Sequence, residues 1–197
     1  MSPKCDRKGF TLVEIMVAGA LSLLVMGLVY AFLVPTMRAQ LRGSTRAQLQ
    51  LEATTALEAM ARDLYRSAPG AWSLRTERPA ALGLMRQDTV LATGQRAWES
   101  FVIVYAQLDD RLVRRQWPPE PPSLGIPLPG GGAPLRLGAA ELAQVANTPA
   151  AQSRWLARDV ETLAFTQEGD CLMLSLTLNR RIDRVTVHRA VWPRSGL

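Results

Sequence analysis

The pattern of apolar and polar residues divides this 197-residue chain into three stretches. A short charged leader comes first, and the next 25 residues, 10–34, carry a single charged side chain, Glu14. As an α-helix this run would be about 37 Å long at ~1.5 Å per residue, which exceeds the roughly 30 Å hydrocarbon core of a bilayer. The pattern predicts a membrane-spanning helix that has one carboxylate close to its start.

Beyond this run, apolar residues recur every three or four positions and predict an amphipathic helix over residues 35–68. Pro35 is expected to kink or locally interrupt the helix, and the turn-forming residues 67–70 are expected to end it. Arg38, Arg42 and Arg46 share another face, which we interpret as solvated. The apolar stripe consists of Leu49, Ala53, Leu57, Met60 and Leu64.

From residue 69 to residue 197 the pattern changes again, to short runs typical of an antiparallel β-rich domain. Strands are predicted at residues 82–85, 90–91, 101–105, 112–117, 160–167 and 171–178, and in a last run from Val185 to Trp192. Turns are predicted at residues 109–110, 168–170 and 179–183, and short helices at residues 139–145 and 152–156. The predicted fold class is α+β, with the helical stripe covering one face of the sheet.

Two local patterns refine this prediction. Leu172, Leu174, Leu176 and Leu178 alternate with other residues, which indicates a strand with one covered face. Residues 118–134 contain seven prolines and four glycines, so they form a loop and cannot be a central strand. The loop leaves several strand orders open.

The carboxylate inside the apolar run needs a physical explanation. A charge in a membrane span costs a few kcal/mol or more, so Glu14 either lies near the headgroups or has a partner. The surrounding residues 9–14, with the sequence GFTLVE, resemble the processing motif of type IV prepilins and pseudopilins. A plain signal anchor remains the alternative, and it would require neither Gly9 nor Glu14.

The resemblance implies how the chain is processed, how it assembles and where its parts lie. A prepilin peptidase would cut after Gly9, remove the leader 1–9, and methylate the new amino terminus at Phe10. Glu14 would then pair with the amino terminus of a neighbouring subunit in a helical fibre. The leader would lie in the cytoplasm, residues 10–34 would cross the bacterial inner membrane, and a pilin-like head would lie outside.

Three further segments are similar to J-type pseudopilins of type II secretion and to W-type minor pilins: residues 60–66, 110–115 and 155–165. They imply a minor subunit that helps to initiate or cap a fibre with other minor pilins and a major pilin. Because Glu14 is present, we expect a subapical or inserted position. The chain also lacks the cysteine pair that many major pilins carry near the carboxyl end.

Charge and cysteine content add little. The net charge is +6, of which the leader supplies +2, and this balance does not establish nucleic-acid binding. Cys5 would leave with the leader, so Cys171 could form no disulfide within the processed chain. Its apolar surroundings predict a buried structural thiol.

Catalytic chemistry is not predicted. His188 is the single histidine, no cluster has the spacing of a metal site, and no nucleophile motif occurs, so neither a cofactor nor a metal is expected. A signal-anchored enzyme is therefore the least favoured hypothesis.

A fibre-borne DNA-binding or adhesin module is a further hypothesis. Arg111, Arg114 and Arg115 lie close in sequence to Tyr105 and Trp117, and basic and aromatic residues together can bind single strands. The alternative is that these arginines lie on the open face of an amphipathic hairpin.

Overall fold

The structure, a computed structural model, describes residues 11–90, 96–118, 134–148 and 153–192. The chain divides into two compact units, residues 1–44 and residues 45–197. One long helix contributes to both units, whereas all described strands and the second helix belong to the second unit.

The long helix, α1, runs from Leu12 to Leu64 and contains Pro35 in its interior. The helix is therefore not interrupted at Pro35, and the alternative of a kink there stays a prediction. Proline lacks the backbone donor that would bond the carbonyl four residues earlier, that of Ala31. Next to it, the Thr36 hydroxyl donates to the Phe32 carbonyl at 2.7 Å. The helix ends four residues before the predicted boundary at residue 68, and a single 3-10 turn, Pro69–Ala71, follows it.

Ten strands and a second helix form the rest of the described chain. The first six strands are β1 (Trp72–Arg75), β2 (Ala81–Leu84), β3 (Gln87–Val90), β4 (Arg96–Trp98), β5 (Val102–Leu108) and β6 (Arg111–Trp117). After helix α2 (Ala139–Asn147) come β7 (Ser153–Ala157), β8 (Val160–Glu168), β9 (Cys171–Arg180) and β10 (Asp183–Val191).

These strands form three antiparallel sheets rather than the one sheet that the alternation suggested. A five-stranded sheet has the order β1-β2-β5-β6-β7, a three-stranded sheet has the order β10-β9-β8, and β3 pairs with β4. Tight turns join β5 to β6 and β8 to β9, and the second of these holds Gly169 at a φ of +58°, where glycine avoids strain.

The main core lies between α1 and the two larger sheets. All five residues of the predicted helical stripe are fully buried, and so are the four alternating leucines of β9. They pack with Leu82 of β2, Ile103 of β5 and Phe165 of β8 in one continuous cluster. The prediction that the stripe covers the sheet is confirmed.

A second core lies between α2 and the opposite face of the five-stranded sheet. Leu142 and Val145 of α2 pack here against Val104 and Trp117. Gly83 of β2 permits this close approach, because a Cβ atom at that position would lie 3.0 Å from Leu142 Cδ1. The sheet is therefore covered on both faces, which alternation alone did not indicate.

One buried amide joins the two larger sheets. Gln107 of β5 donates from Nε2 to the carbonyls of Val160 and Glu161, each at 3.2 Å, and its Oε1 accepts the Leu163 N–H at 3.0 Å. Leaving such an amide unpaired would cost its full desolvation penalty. These bonds fix β8 beside the end of β5.

Two differences from the sequence predictions concern whole elements. Residues 153–157 form an edge strand beside β6 and not the predicted short helix, because Val113 pairs with Trp155 across the sheet. Strands β1 and β4 were not predicted at all. Most of the predicted Pro/Gly loop, residues 119–133, and the predicted strand residue Leu91 lie outside the described residues.

Candidate assembly site

The amino-terminal half of α1 presents apolar side chains on every side. Each large apolar residue from Leu12 to Leu33 is more than half exposed. By length and composition the helix is able to cross a membrane, and in the described residues it is the one helix that meets this criterion. Two hydroxyl groups on this surface, Ser22 and Thr36, donate to backbone carbonyls one turn earlier, at 2.8 and 2.7 Å. The hydrogen-bond donors of both hydroxyl groups are thereby satisfied within the helix.

Glu14 lies in the first turn of this helix and is exposed. Its Oε2 accepts the backbone N–H of Thr11 at 2.9 Å and the Thr11 hydroxyl at 3.0 Å, while the Glu14 N–H donates back to the Thr11 hydroxyl at 3.3 Å. This is the reciprocal arrangement of a capping box. A carboxylate at this position also interacts favourably with the positive end of the helix dipole.

At the other end of α1, Asp63 is the centre of a buried ionic network. Its Oδ2 accepts the Tyr105 hydroxyl at 2.6 Å and Arg114 Nε at 3.0 Å, and its Oδ1 accepts Arg86 at 3.2 Å. Arg86 also forms a two-pronged pair with Glu99. One helical carboxylate therefore connects strands β5 and β6 and the segment after β2 to α1.

The protonation states in this network follow from its surroundings. Burial, followed by the charge of Asp63, raises the pKa of Tyr105 well above its ordinary value of 10.0. The hydrogen bonds to Glu99 raise the pKa of Arg86 despite partial burial. Tyr105 therefore stays a neutral donor to Asp63, and Arg86 stays charged.

A second set of polar contacts between α1 and the β-rich domain lies nearer the middle of the helix. Glu52 accepts the backbone N–H of Arg158 at 2.7 Å and pairs with Arg180 at 3.3 Å. Arg180 also contacts Asp159 at 2.6 Å. The β-rich domain is therefore held to α1 by polar contacts near both ends of the buried stripe.

The three arginines of the nucleic-acid hypothesis do not share one face. Arg114 points to Asp63, whereas Arg115 points to the other side of the sheet and donates to the Val145, Ala146 and Thr148 carbonyls at the end of α2. There it satisfies carbonyls that the helix leaves without partners. Burial lowers the pKa of Arg115. The alternative interpretation, an open solvated face, is wrong for these two residues.

Arg111 has different surroundings. Its guanidinium carbon lies 4.3 Å from the centroid of the Trp155 ring, and that of Arg158 lies 5.6 Å from the same ring. Trp155 is 53% exposed on the edge strand β7. The exposed aromatic and basic group is therefore Arg111, Trp155 and Arg158, which sequence proximity did not reveal.

The family comparison bears on the amino terminus. Residues 4–30 match the model of the prokaryotic N-terminal methylation motif. This match includes Gly9 and Phe10, which lie outside the described residues, and Glu14. This match supports a type IV pilin-like protein. The long apolar helix followed by antiparallel sheets agrees with a type IV pilin-like fold. A comparison with curated proteins found no match.

The pilin-like motif implies processing by a prepilin peptidase, assembly with other pilins, and membrane anchoring through the apolar helix. The structure places the carboxylate of Glu14 at the start of that helix, four residues beyond Phe10. Thr11 holds it locally, and this contact was not predicted, although the Thr-x-x-Glu spacing is a recognisable sequence signature.

Two remaining predictions concern Cys171 and His188. Cys171 is a free thiol at the start of β9 and is only partly buried, so the prediction of a buried thiol is wrong. Its position beside the exposed β8–β9 turn explains the difference. His188 is exposed on β10. Among the residues with described positions, no group of His, Cys, Asp or Glu could hold a metal ion.

Proposed function

We propose that this protein is a minor pilin or pseudopilin, a non-enzymatic subunit that helps to initiate or cap a type IV pilus or a type II secretion pseudopilus. Prepilin peptidase cleaves between Gly9 and Phe10 and methylates Phe10. Glu14 then pairs with the amino terminus of an adjacent subunit. The observation that carries this proposal is the methylation motif at residues 4–30, followed by an apolar helix in which each large apolar side chain from Leu12 to Leu33 is more than half exposed.

The physical reason for the pairing is the cost of an isolated charge. In a fibre core the exposed apolar surface of α1 would be covered by other helices, and Glu14 would lose its solvent. Removing a charge from water costs several kcal/mol unless an opposite charge and hydrogen bonds replace the water. Thr11 supplies hydrogen bonds to one carboxylate oxygen, and an ammonium group from a neighbour supplies the charge.

The minor-subunit assignment rests on the resemblance of three segments, residues 60–66, 110–115 and 155–165, to J-type pseudopilins and W-type minor pilins. These segments are adjacent in the structure. Asp63 from the first pairs with Arg114 from the second, and Val113 lies opposite Trp155 from the third. Segments that are distant in sequence therefore form one structural unit around the end of α1. The retained Glu14 favours a subapical or inserted position.

The intact mass of the membrane-extracted protein tests the processing step. We expect a chain that starts at Phe10 and carries one added methyl group. A variant with Gly9→Leu is the matched control, because a bulky residue before the cut should leave the leader attached. Retention of residues 1–8 on the unmodified protein would contradict the proposal.

Partners provide the test of the fibre role. Purification of the processed protein after cross-linking in its native membrane should recover other pilin-like subunits in a small complex. The set recovered would also distinguish a type IV pilus from a secretion pseudopilus or a competence system. Recovery of the protein alone, with the processing intact, would argue against assembly.

A second candidate function, DNA binding on a fibre, has one observation in its favour. Arg111 and Arg158 flank the exposed ring of Trp155, an arrangement that can stack bases and contact phosphates. Arg111→Gln with Arg158→Gln should abolish binding of single-stranded DNA and its salt dependence. Arg154→Gln with Arg181→Gln is the control of equal charge. Absent binding by the unmodified protein would eliminate this candidate.

A further inference from the structure

We infer that Arg38 and Arg42 form a binding surface for anionic phospholipid headgroups at the end of the membrane span opposite the leader. The interpretation of these arginines as merely solvated would then be incomplete. The inference requires only that α1 crosses a membrane, and it is independent of how the subunit assembles.

The first support is the surroundings of the two arginines. Both are exposed, and in the described part of the chain neither forms a hydrogen bond or ion pair. The sequence explains this, because no acidic residue occurs between Glu14 and Glu52. Salt bridges along a helix need a carboxylate three or four positions away, and neither arginine has one. Two positive charges one turn apart on this face are therefore available to an external anion.

The second support is the position along the helix. From Glu14 to Val34 the rise is about 30 Å, which equals the thickness of a hydrocarbon core. When Glu14 lies at one boundary, Val34 lies at the other. Arg38 is then about 6 Å and Arg42 about 12 Å beyond it. The headgroup layer is roughly 5–8 Å thick on each side, so Arg38 lies within it and Arg42 just outside.

Side-chain direction brings both guanidinium groups closer to the lipid. Side chains on an α-helix lean toward its amino terminus, which here is the direction of the membrane. Long basic side chains at the ends of spans extend in this way to reach the interface. Arg38 and Arg42 are one turn apart, so they can contact neighbouring phosphates on the same side of the helix.

The neighbouring apolar residue agrees with an interfacial location. Met37 lies beyond the uninterrupted apolar run, and 55% of its surface is exposed. An exposed apolar side chain adjacent to arginines is typical of helix segments at a membrane interface. Guanidinium groups also bind phosphate in a two-pronged geometry, which favours a phospholipid over a diffuse counterion. Net negative lipids are preferred over zwitterionic ones because they add uncompensated charge.

Native mass spectrometry of the full chain from micelles with equal phosphatidylglycerol and phosphatidylcholine tests this surface. We expect phosphatidylglycerol to be retained on the order of tenfold more than phosphatidylcholine, from the attraction of each arginine to anionic lipid. Arg38→Gln with Arg42→Gln should remove that preference, and Arg38→Lys with Arg42→Lys should keep most of it. Salt should weaken it, because the Debye length falls to about 3 Å at 1 M.

The matched control removes the same charge from the same helix farther from the membrane. Arg46 is about 18 Å beyond Val34, and Arg62 is farther still, so Arg46→Gln with Arg62→Gln should retain the lipid preference. Equal retention of both lipids by the unmodified chain would overturn the inference. So would an unchanged preference in the Arg38/Arg42 variant, or equal losses in the two variants.

The fibre role is tested independently of this surface. If the Arg38/Arg42 variant kept its lipid preference but failed to enter the fibre, the arginines would contact a neighbouring subunit and the lipid inference would be wrong. Failure of processing at Gly9 would overturn the proposed function and leave the lipid result intact, because the uncleaved chain carries the same helix.

Discussion

The two ends of α1 are both rich in apolar residues but differ in what covers them. From Leu12 to Leu33 every large apolar side chain is more than half exposed, whereas the stripe from Leu49 to Leu64 is fully buried beneath the sheets. The carboxyl-terminal part obtains its cover from its own chain. The amino-terminal part has large apolar side chains that its own chain leaves exposed, and in the proposed function lipid or other subunits would cover them.

The two parts of this continuous helix are therefore expected to have separate roles, one in folding and one in insertion or assembly. Changes in the buried stripe should affect folding of residues 45–197, and changes in the exposed run should affect insertion or assembly. All five tryptophans belong to the second unit, so tryptophan fluorescence reports its unfolding alone. The two roles can therefore be tested separately.

The largest effect on stability is expected from a cavity in the stripe. Leu57→Ala should lower the free energy of unfolding by about 3 kcal/mol, because a fully buried leucine leaves a cavity that the surroundings fill only partly. Chemical denaturation followed by tryptophan fluorescence measures this. Leu24→Ala, the same substitution at an exposed position, is the control and should leave the unfolding curve unchanged. Equal destabilisation by both would remove the distinction between the two parts.

The next effect concerns the ionic network. Asp63→Asn should lower the free energy of unfolding by roughly 2–3 kcal/mol, because the partly buried Arg86 and Arg114 lose their shared charge partner. Glu58→Gln is the control on the same helix, since its pair with Arg189 is largely exposed and contributes little. A loss at Asp63 no larger than that at Glu58 would show that the network does not hold the helix to the sheet.

The smallest effect is a dependence on alkaline pH. The pKa of Tyr105 is raised in the folded protein, so its stabilising contribution is complete below about pH 10 and declines as the pH rises above that. Tyr105→Phe should cost about 1 kcal/mol at neutral pH through the lost hydrogen bond. It should also flatten the alkaline decline in the melting temperature. An equally steep decline in the variant would assign it to other groups.

The parts of the fold that the sequence predicted are those set by periodicity. The helical stripe and the leucines of β9 have a regular spacing, and all are buried where that spacing places them. Residues 153–157 have no such spacing, and their strand arises from pairing with β6. Local sequence therefore could not identify it.

The polar contacts were less predictable because their partners are distant. Arg114 meets Asp63 across 51 positions of sequence, and nothing near Arg114 indicates a buried partner. Sequence reasoning accordingly placed it on a solvated face or against nucleic acid. The candidate assembly site is different, since Gly9, Phe10 and Glu14 lie within six consecutive residues and form a recognisable motif. The motif alone predicts cleavage after Gly9, methylation of Phe10 and pairing of Glu14. The capping contact between Thr11 and the Glu14 carboxylate, in contrast, was identified from the distances in the structure.

The role of Glu14 has a local alternative, because the carboxylate also caps the helix through Thr11. Thr11→Val separates the two roles, since it removes the hydroxyl but keeps the carboxylate available for a neighbour. If capping were the whole role, Thr11→Val and Glu14→Leu should impair assembly to a similar extent. If charge pairing dominates, only Glu14→Leu should do so strongly.

The most direct test is therefore a competition in which Glu14→Leu and the unmodified subunit are co-expressed and their ratio in the isolated fibre or tip complex is measured. We expect the variant to be depleted at least roughly tenfold, because an unpaired ammonium in an apolar core costs a few kcal/mol. Its tryptophan unfolding curve should be unchanged. Incorporation of Glu14→Leu at parity with the unmodified subunit would contradict the pairing and the fibre role built on it.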